Sequence, residues 1–195
     1  MAEAVSKKGK LIVISGPSGV GKGTICAEVC RRLPSVYINV SATTRPKAAS
    51  EVNGREYWFV SAAEFEGLKK DGKLLEYAEV FGNMYGTPRE GVDRALSEGK
   101  TVILEIDVQG GRSVKSVYPE AVSIFILPPD TKELERRLEG RGRETIEAAQ
   151  RRLQKAGKEM GEAEKFYDYK VVNDNLEKAI QRVIGIISNI DGEKR

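Results

Sequence analysis

The chain has 195 residues, of which 31% are charged, and its 32 basic and 29 acidic side chains give a formal net charge of +3. This length suits one domain with a sizeable core, and the basic excess is weaker than in most nucleic-acid-binding domains, so we expect a small anionic ligand and no nucleic acid. The chain has no histidine, which excludes Ser-His and Cys-His nucleophile systems and His-ligated zinc.

Apolar runs and helical segments alternate along most of the chain. The apolar runs are nearly continuous, as in strands that are buried on both faces of a parallel sheet. The predicted strands span residues 10–15, 37–41, 100–107, 121–127 and 169–173. The predicted helices span residues 22–33, 88–98, 131–139, 144–166 and 176–190. This alternation predicts an α/β fold.

The residues from about 42 to 87 interrupt this pattern, because they are rich in turn-forming and aromatic side chains. Such a composition favours short strands joined by tight turns, and Asn53-Gly54 is a turn signal between residues that can pair. We therefore predict a small, mostly β lobe here. Its tyrosines, tryptophan and phenylalanines serve either as the core of this lobe or as ligand contacts.

The stretch GPSGVGKGT follows the first predicted strand and opens the first predicted helix. Glycines allow consecutive backbone N–H groups to point into one concavity, and the helix N-terminus favours an anion there. A lysine at the start of the helix then reaches the β- and γ-phosphates of a nucleoside triphosphate. The predicted triphosphate-binding residues are Gly16, Pro17, Ser18, Gly19, Val20, Gly21, Lys22, Gly23 and Thr24.

The same loop lacks a hydroxyl that many nucleoside triphosphatases use to bind Mg²⁺. Gly23 stands directly after the lysine, where those proteins have serine or threonine. Thr24 is one position further on and need not point the same way. We therefore expect that phosphates and water mainly hold Mg²⁺, with at most indirect help from carboxylates such as Glu105 and Asp107.

The small lobe carries side chains that suit a phosphorylated acceptor. Arg45, Tyr57 and Tyr85 suit a phosphate monoester, because they supply a charged fork and neutral donors. Glu76 suits guanine, because one carboxylate accepts from both the N1–H and the N2–H₂ groups, whereas adenine presents an acceptor at N1. A site built around such a pairing rejects the wrong base strongly.

Seven short motifs follow one another along the chain: GPSGVGK, SATTR, EVNGREY, YGT, EIDVQG, RLEGRG and VVND. In these motifs and their order, over about residues 10–190, the chain resembles the guanylate kinases. The resemblance implies transfer of the γ-phosphoryl group of ATP to GMP, with Mg²⁺. It also implies a P-loop nucleoside-phosphate kinase core with a parallel sheet, a small mostly β GMP-binding lobe and a helical lid.

The resemblance also implies a division of one domain, residues 1–195, into three parts. The core spans about residues 10–41, 88–135 and 165–190, the GMP-binding lobe about 42–87 and the lid about 136–160. Because two nucleotides must meet away from water, we expect the lobe and the lid to close over them.

The site residues that the resemblance implies fall into five groups. Ser41, Arg45, Tyr57 and Tyr85 bind the phosphate of GMP, and Glu76, Thr87 and Asp107 read its guanine. Lys22, Arg45, Arg137, Arg141 and Arg152 act on the transferring phosphoryl group. Asn173 and Asp174 lie on the adenine side, and Glu105 lies near the metal.

One segment departs from the family pattern T-T-R-x-P-R-x-G-E. This chain has TTRPKAASE at residues 43–51, so Ala48 stands where the family has a second arginine. We hypothesise that Lys47 takes over part of the missing charge, as a point charge and not as a bidentate fork. This departure leaves open a nucleoside monophosphate kinase with an altered acceptor preference. A non-catalytic binding module of the same fold is a further alternative.

The remaining features indicate a reduced protein without a membrane partner. Cys26 and Cys30 lie four residues apart on the first predicted helix, which suits two reduced core side chains. No apolar run approaches the ~18 residues of a membrane span, and the N-terminus has no signal-peptide pattern. We expect a cytoplasmic protein, and the sequence leaves its oligomeric state open.

Overall fold

Nine strands and seven helices make up the described part of the computed structural model, residues 9–139 and 146–190. The strands are β1 (Lys10–Ser15), β2 (Val36–Ile38), β3 (Ala42–Thr43), β4 (Trp58–Phe59), β5 (Leu74–Val80), β6 (Asn83–Pro88), β7 (Thr101–Glu105), β8 (Val122–Leu127) and β9 (Tyr169–Val172). The helices are α1 (Lys22–Arg32), α2 (Ala62–Lys70), α3 (Arg89–Ser97), α4 (Val108–Val117), α5 (Thr131–Glu139), α6 (Ile146–Phe166) and α7 (Leu176–Asn189).

The strands form two sheets. The larger sheet is parallel throughout and has the order β2-β7-β1-β8-β9. The smaller sheet is mixed and has the order β4-β3-β6-β5. The predicted α/β fold with a parallel sheet is therefore confirmed, and the small sheet lies within the segment predicted to be mostly β.

The central strand β1 shows why the large sheet is covered on both sides. Its side chains alternate between two faces. Ile12 and Ile14 join one buried cluster together with residues of α1 and α7. Leu11 and Val13 join a second buried cluster with residues of α3, α4 and α6. Helices on both faces explain the unbroken apolar runs of the sequence.

All five predicted strands and all five predicted helices are present, with shifts of one to a few residues at their ends. Helix α1 ends at Arg32, and its C-cap Leu33 is extended, with φ of −120°. The residue before a proline avoids the helical conformation, and Pro34 follows. The helix predicted from residue 144 is observed from Ile146, and residues 144 and 145 lie outside the described residues.

Two helices were missed by the sequence prediction. Helix α2 lies inside the small lobe and starts with a capping box, in which Ser61 Oγ accepts from the Glu64 N–H and the Glu64 side chain accepts from the Ser61 N–H. Helix α4 contains the weak helix formers Gly110 and Gly111, which hid it. The Asp107 side chain caps α4 by accepting from the Gly110 N–H at 2.9 Å.

The Asn53-Gly54 signal forms a turn but not a hairpin. Gly54 has φ of 81°, and its N–H donates to the Tyr57 carbonyl. The flanking residues Asn53 and Tyr57 make one isolated bridge of the parallel type. The ring of Trp58 packs on Gly54 so closely that a Cβ there would lie 2.8 Å from a ring carbon.

Within the described part of the chain, none of the helices combines the length and the apolar character that a membrane span requires.

The two glycines of α4 allow this helix to approach its neighbours closely. A Cβ on Gly110 would overlap Oε2 of Glu76 in β5, and one on Gly111 would lie 2.8 Å from the Tyr167 hydroxyl oxygen. Close backbone approach therefore outweighs the poor helix propensity of glycine at these positions.

We predict that Gly110→Ala lowers the free energy of unfolding by about 1–3 kcal/mol, because the methyl group must displace a buried carboxylate. The matched control is Gly185→Ala in α7, where an added Cβ meets nothing within 4 Å. This control should be neutral or stabilising by up to ~1 kcal/mol. Urea unfolding measures both variants, and equal stabilities would contradict the close packing of α4 on Glu76.

Candidate active site

The loop between β1 and α1 has a backbone that depends on glycine. Gly19 and Gly21 have φ of 84° and 99°, in the left-handed region. A Cβ on Gly16 would overlap the carbonyl oxygen of Ile126 in β8. Helix α1 then starts with no side-chain cap and no acidic residue in its first turn. Its first N–H groups are consequently suited to an anion.

Two residues that are distant in sequence, one directly after β9 and one in α5, hold this loop in place. Asn173, directly after β9, is buried, and its Nδ2 donates to the Val20 carbonyl at 2.8 Å. A guanidinium nitrogen of Arg137 in α5 donates to the Asn173 carbonyl at 3.1 Å. Neither side chain lines the cavity described below. Asp174 is exposed, and its carboxylate accepts from the Asn175 N–H.

Lys22 and Glu105 face each other near the loop. The ammonium of Lys22 donates to the Gly16 carbonyl at 2.6 Å and to the Pro17 carbonyl at 3.1 Å. Burial raises the pKa of Glu105, while Lys22 acts in the opposite direction. A Cβ on Gly23 would lie 3.6 Å from a Glu105 carboxylate oxygen, which is ordinary contact. Thr24 is exposed and does not line the cavity.

A cavity of about 280 Å³ opens between the small lobe and the loop that joins β1 to α1, which we call the phosphate loop. Eleven of the sequence-predicted site residues line it: Gly16, Ser18, Gly19, Lys22, Ser41, Tyr57, Glu76, Tyr85, Glu105, Asp107 and Arg152. Ten others do not: Pro17, Val20, Gly21, Gly23, Thr24, Arg45, Thr87, Arg137, Asn173 and Asp174. Arg141 lies outside the described residues.

Glu76, which lines the cavity, and Thr87, which does not, form a buried hydrogen-bonded pair. The Thr87 hydroxyl donates to Oε1 of Glu76 at 2.6 Å. Burial raises the pKa of Glu76 to about 7, with a further contribution from Asp107, while the hydrogen bond from Thr87 lowers it. Oδ2 of Asp107 is buried without a hydrogen bond, and the Lys155 ammonium lies 3.6 Å from it.

Aromatic and basic side chains cluster elsewhere in the lobe. The rings of Tyr57 and Tyr85 pack edge to face with centres 5.7 Å apart, and burial raises the pKa of Tyr57 to about 12. The Arg45 guanidinium lies 5.5 Å from the Tyr57 ring centre and forms a bidentate pair with Glu51 at 2.7 and 3.0 Å. Lys47 is exposed, and its ammonium donates to the Glu51 carbonyl.

Among the residues of this region that the sequence prediction missed, four are charged or aromatic, namely Glu51, Phe81, Lys155 and Glu159. Glu51 orients Arg45, and the other three line the cavity. On α6, Lys155 lies three residues after Arg152 and Glu159 lies four residues after Lys155, which puts all three on one helix face. That spacing was the available signal. Burial raises the pKa of Glu159, and Lys155 opposes this shift.

The arrangement defines a class of enzyme. A glycine loop at the carboxyl edge of a parallel sheet suits a nucleoside triphosphate. A second lobe across the cavity offers donors and a carboxylate to another small ligand, and α6 brings cations over the space between them. These features define a P-loop phosphotransferase of the nucleoside-phosphate kinase class.

Comparison with known proteins identifies the family. The family model described as Guanylate kinase matches residues 8–190. A guanylate kinase of a Nostoc species is 51% identical over 175 residues, which cover 90% of this chain and 87% of the relative. A guanylate kinase of Thermosynechococcus vestitus is 50% identical over 180 residues, which cover 92% of this chain and 94% of the relative. The chain belongs to the guanylate kinase family.

Solved structures agree with this assignment. The crystal structure of guanylate kinase from Anaplasma phagocytophilum has a TM-score of 0.81 and 33% identity, and the match covers 97% of this chain and 89% of that one. The SH3-kinase fragment of tight junction protein 3 has a TM-score of 0.52 at 11% identity, over 96% of this chain and 59% of that one. The second match shares the fold alone.

We predict that Glu76 makes the stability of the protein depend on pH between about 4.5 and 7. Its pKa rises from 4.5 to about 7 on folding, so the folded state binds the proton more tightly. The stabilisation from this proton is complete below the unfolded pKa and is lost as pH rises through the folded pKa, which amounts to on the order of 3 kcal/mol.

Glu76→Gln removes this titration. The free energy of unfolding of the variant, relative to that of the unmodified protein, should therefore be higher at pH 8 than at pH 5. The matched control is Glu79→Gln, which changes an exposed carboxylate on the same strand. Urea unfolding at both pH values measures the difference. Parallel pH profiles for Glu76→Gln and the unmodified protein would show that Glu76 is not the titrating group.

Proposed function

We propose that this protein transfers the γ-phosphoryl group of ATP to GMP, giving ADP and GDP. The observation that carries the proposal is that residues of the phosphate loop and Glu76 line one cavity, and that the buried Glu76 carboxylate accepts a hydrogen bond from Thr87. A phosphate loop alone indicates only a triphosphate. The carboxylate at the opposite end adds an acceptor site for guanine, and membership of the guanylate kinase family supports both assignments.

In this proposal, Glu76, Thr87 and Asp107 read the guanine base. The ionised Glu76 carboxylate accepts from the two adjacent N–H groups of guanine. Adenine offers an acceptor at the first of these positions, so two acceptors would face each other in a buried site. Discrimination of this kind reaches roughly 10⁴-fold.

Ser41, Arg45, Tyr57 and Tyr85 are proposed to bind the phosphate of GMP. The phenol of Tyr57 is protonated at neutral pH, as a tyrosine is at its ordinary pKa, so it acts as a donor. Glu51 holds the planar guanidinium of Arg45 in one orientation, which lowers the conformational entropy lost on binding an anion.

The transfer step needs little from the protein beyond positioning. An oxygen of the GMP phosphate forms a bond to the γ-phosphorus as the bond to the β,γ-bridging oxygen breaks and ADP leaves. That attacking oxygen is already ionised at pH 7, because the second pKa of a phosphate monoester is about 6. No general base is required, which fits a chain without histidine.

Cations of the loop and lid are proposed to stabilise the transferring group. The loop N–H groups and Lys22 bind the phosphates of ATP, and Arg152 lies beside them, since its guanidinium donates to Ser18 Oγ at 3.0 Å. Arg137 and Arg141 are assigned to the same task by resemblance. Asn173 and Asp174 stay predictions for the adenine side.

The residues near the loop fit a Mg²⁺ ion that the substrates mainly hold. Glu105 is the carboxylate that faces Gly23, and the described residues contain no group of three or more potential metal ligands. Mg²⁺ commonly keeps several waters and binds through substrate phosphates. A bound ion would supply positive charge that neutralises the charge developing on the phosphates, with Glu105 as the protein carboxylate near it.

We also propose that the lobe of about residues 42–87 and the lid of about residues 136–160 close over the substrates.

We propose further that the protein acts in the cytoplasm. The two cysteines Cys26 and Cys30 are free thiols, which suits a reducing compartment.

A second candidate function is a kinase with an altered or broader acceptor range, favoured by Ala48 in place of the family arginine.

A coupled assay of ATP consumption tests the proposed function. We expect Mg²⁺-dependent turnover with GMP, and far less with AMP or UMP, while dGMP tests the role of the ribose. Lys22→Ala should lower kcat by roughly 10²-fold or more, because it removes charge at the transferring phosphates. Gly23→Ser is the matched control in the same loop, with only a few-fold change in Mg²⁺ dependence. Equal turnover with AMP would refute the guanine site.

Lys47→Ala tests whether this lysine replaces the family arginine. The expected result is a several-fold higher KM for GMP at unchanged KM for ATP, because a point charge near the acceptor phosphate is lost. The triple variant Pro46→Gln, Lys47→Pro, Ala48→Arg restores the family pattern and should lower the KM for GMP. An unchanged KM for GMP in Lys47→Ala would contradict the hypothesis.

A further inference from the structure

The turn between β5 and β6 exposes a bulky side chain on an unfavourable backbone. Phe81 has φ of 50°, the one non-glycine residue of the described chain with positive φ. A bulky side chain rarely adopts this left-handed conformation. Its ring is also 48% exposed. Glycine or asparagine would suit such a turn better, so neither local geometry nor burial explains phenylalanine here.

The Phe81 ring instead meets two cations of the lid helix α6. The Arg152 guanidinium carbon lies 5.2 Å from the ring centre, and the Lys155 ammonium lies 5.1 Å from it. Both distances fall within the range of cation–π attraction. The two cations are three residues apart, so they project from one face of α6 toward the lobe.

The same two cations contact the cavity on its other sides. Arg152 donates to Ser18 Oγ of the phosphate loop at 3.0 Å. Lys155 lies 3.6 Å from Asp107 Oδ2, at the start of α4, and 3.6 Å from a Glu159 carboxylate oxygen. The ring therefore lies at the point where the lobe, the lid and the loop meet.

We propose that Phe81 is a positioning residue for phosphoryl transfer. Its ring fixes the place of the Arg152 guanidinium, together with Lys155, when the lid lies over the cavity. It does so from the lobe that binds the acceptor, so the position of the lid cations depends on the position of that lobe. This inference rests on the proposed function, because it concerns the cation next to the transferring group.

The expected signature is a fall in kcat and not in acceptor binding. Phe81→Leu keeps an apolar side chain but removes the aromatic face, and kcat should fall on the order of tenfold. Phe81→Tyr keeps the ring and should retain kcat within about twofold. The KM for GMP should change less than kcat in both variants. A loss confined to KM would show that the ring merely contacts GMP, and would overturn the proposal.

Tyr77→Leu is the matched control. Tyr77 is also exposed on β5, and the Lys69 ammonium of α2 lies 5.0 Å from its ring centre, but this pair is within the lobe. Its kcat should equal that of the unmodified protein. Equal losses in Tyr77→Leu and Phe81→Leu would mean that the change acts through lobe stability, which also contradicts the proposal.

A double-mutant cycle shows whether Phe81 acts through Arg152. In an Arg152→Ala background, Phe81→Leu should cause no further loss of kcat, because the positioned group is gone. Additive losses would overturn the proposal. Turnover of the unmodified protein with GMP is measured alongside, and its absence would refute the proposed function itself, so the two failures are distinguishable.

Discussion

The active site depends on one backbone constraint, which is that the turn after β1 leaves the first N–H groups of α1 uncovered. Left-handed glycines make the turn possible, and contacts from other strands hold it. Gly16 packs against the carbonyl of Ile126 in β8, and Asn173 after β9 holds the carbonyl of Val20. Because three neighbouring strands determine its shape, the phosphate loop is part of the rigid core, and its donors are oriented before substrate arrives.

Two carboxylates of the cavity, Glu76 and Glu105, lower the stability of the fold. Burial raises the pKa of both Glu76 and Glu105, so each destabilises the fold when it is ionised. The two apolar clusters on either side of the large sheet must offset that cost. In the proposed function, the same burial makes Glu76 selective for guanine, because water cannot satisfy a mismatched group in a buried site. Substitution of these two carboxylates should therefore stabilise the fold at the expense of the proposed function.

Local chemistry made most of the fold and the loop predictable from sequence, since apolar runs, Pro34 and the loop glycines act on their own neighbourhood. Helix α4 was missed because Gly110 lowers the helix propensity of its own segment. The glycine is needed there because its backbone packs against Glu76, which is distant in sequence, so the sequence pattern does not show the reason. Lys155 and Phe81 were missed for a related reason. A lysine on a charged helix resembles a solvated one until the helix is seen to lie over a cavity.

Trp58 gives the molecule an optical property that follows from its position. It is the single tryptophan of the chain, it lies on β4 in the small lobe, and it is 47% exposed while its ring packs on Gly54. The large sheet and the described lid contain no indole. Intrinsic tryptophan fluorescence of this protein therefore originates in the small lobe alone, so a change in emission reports the surroundings of that lobe and not those of the core.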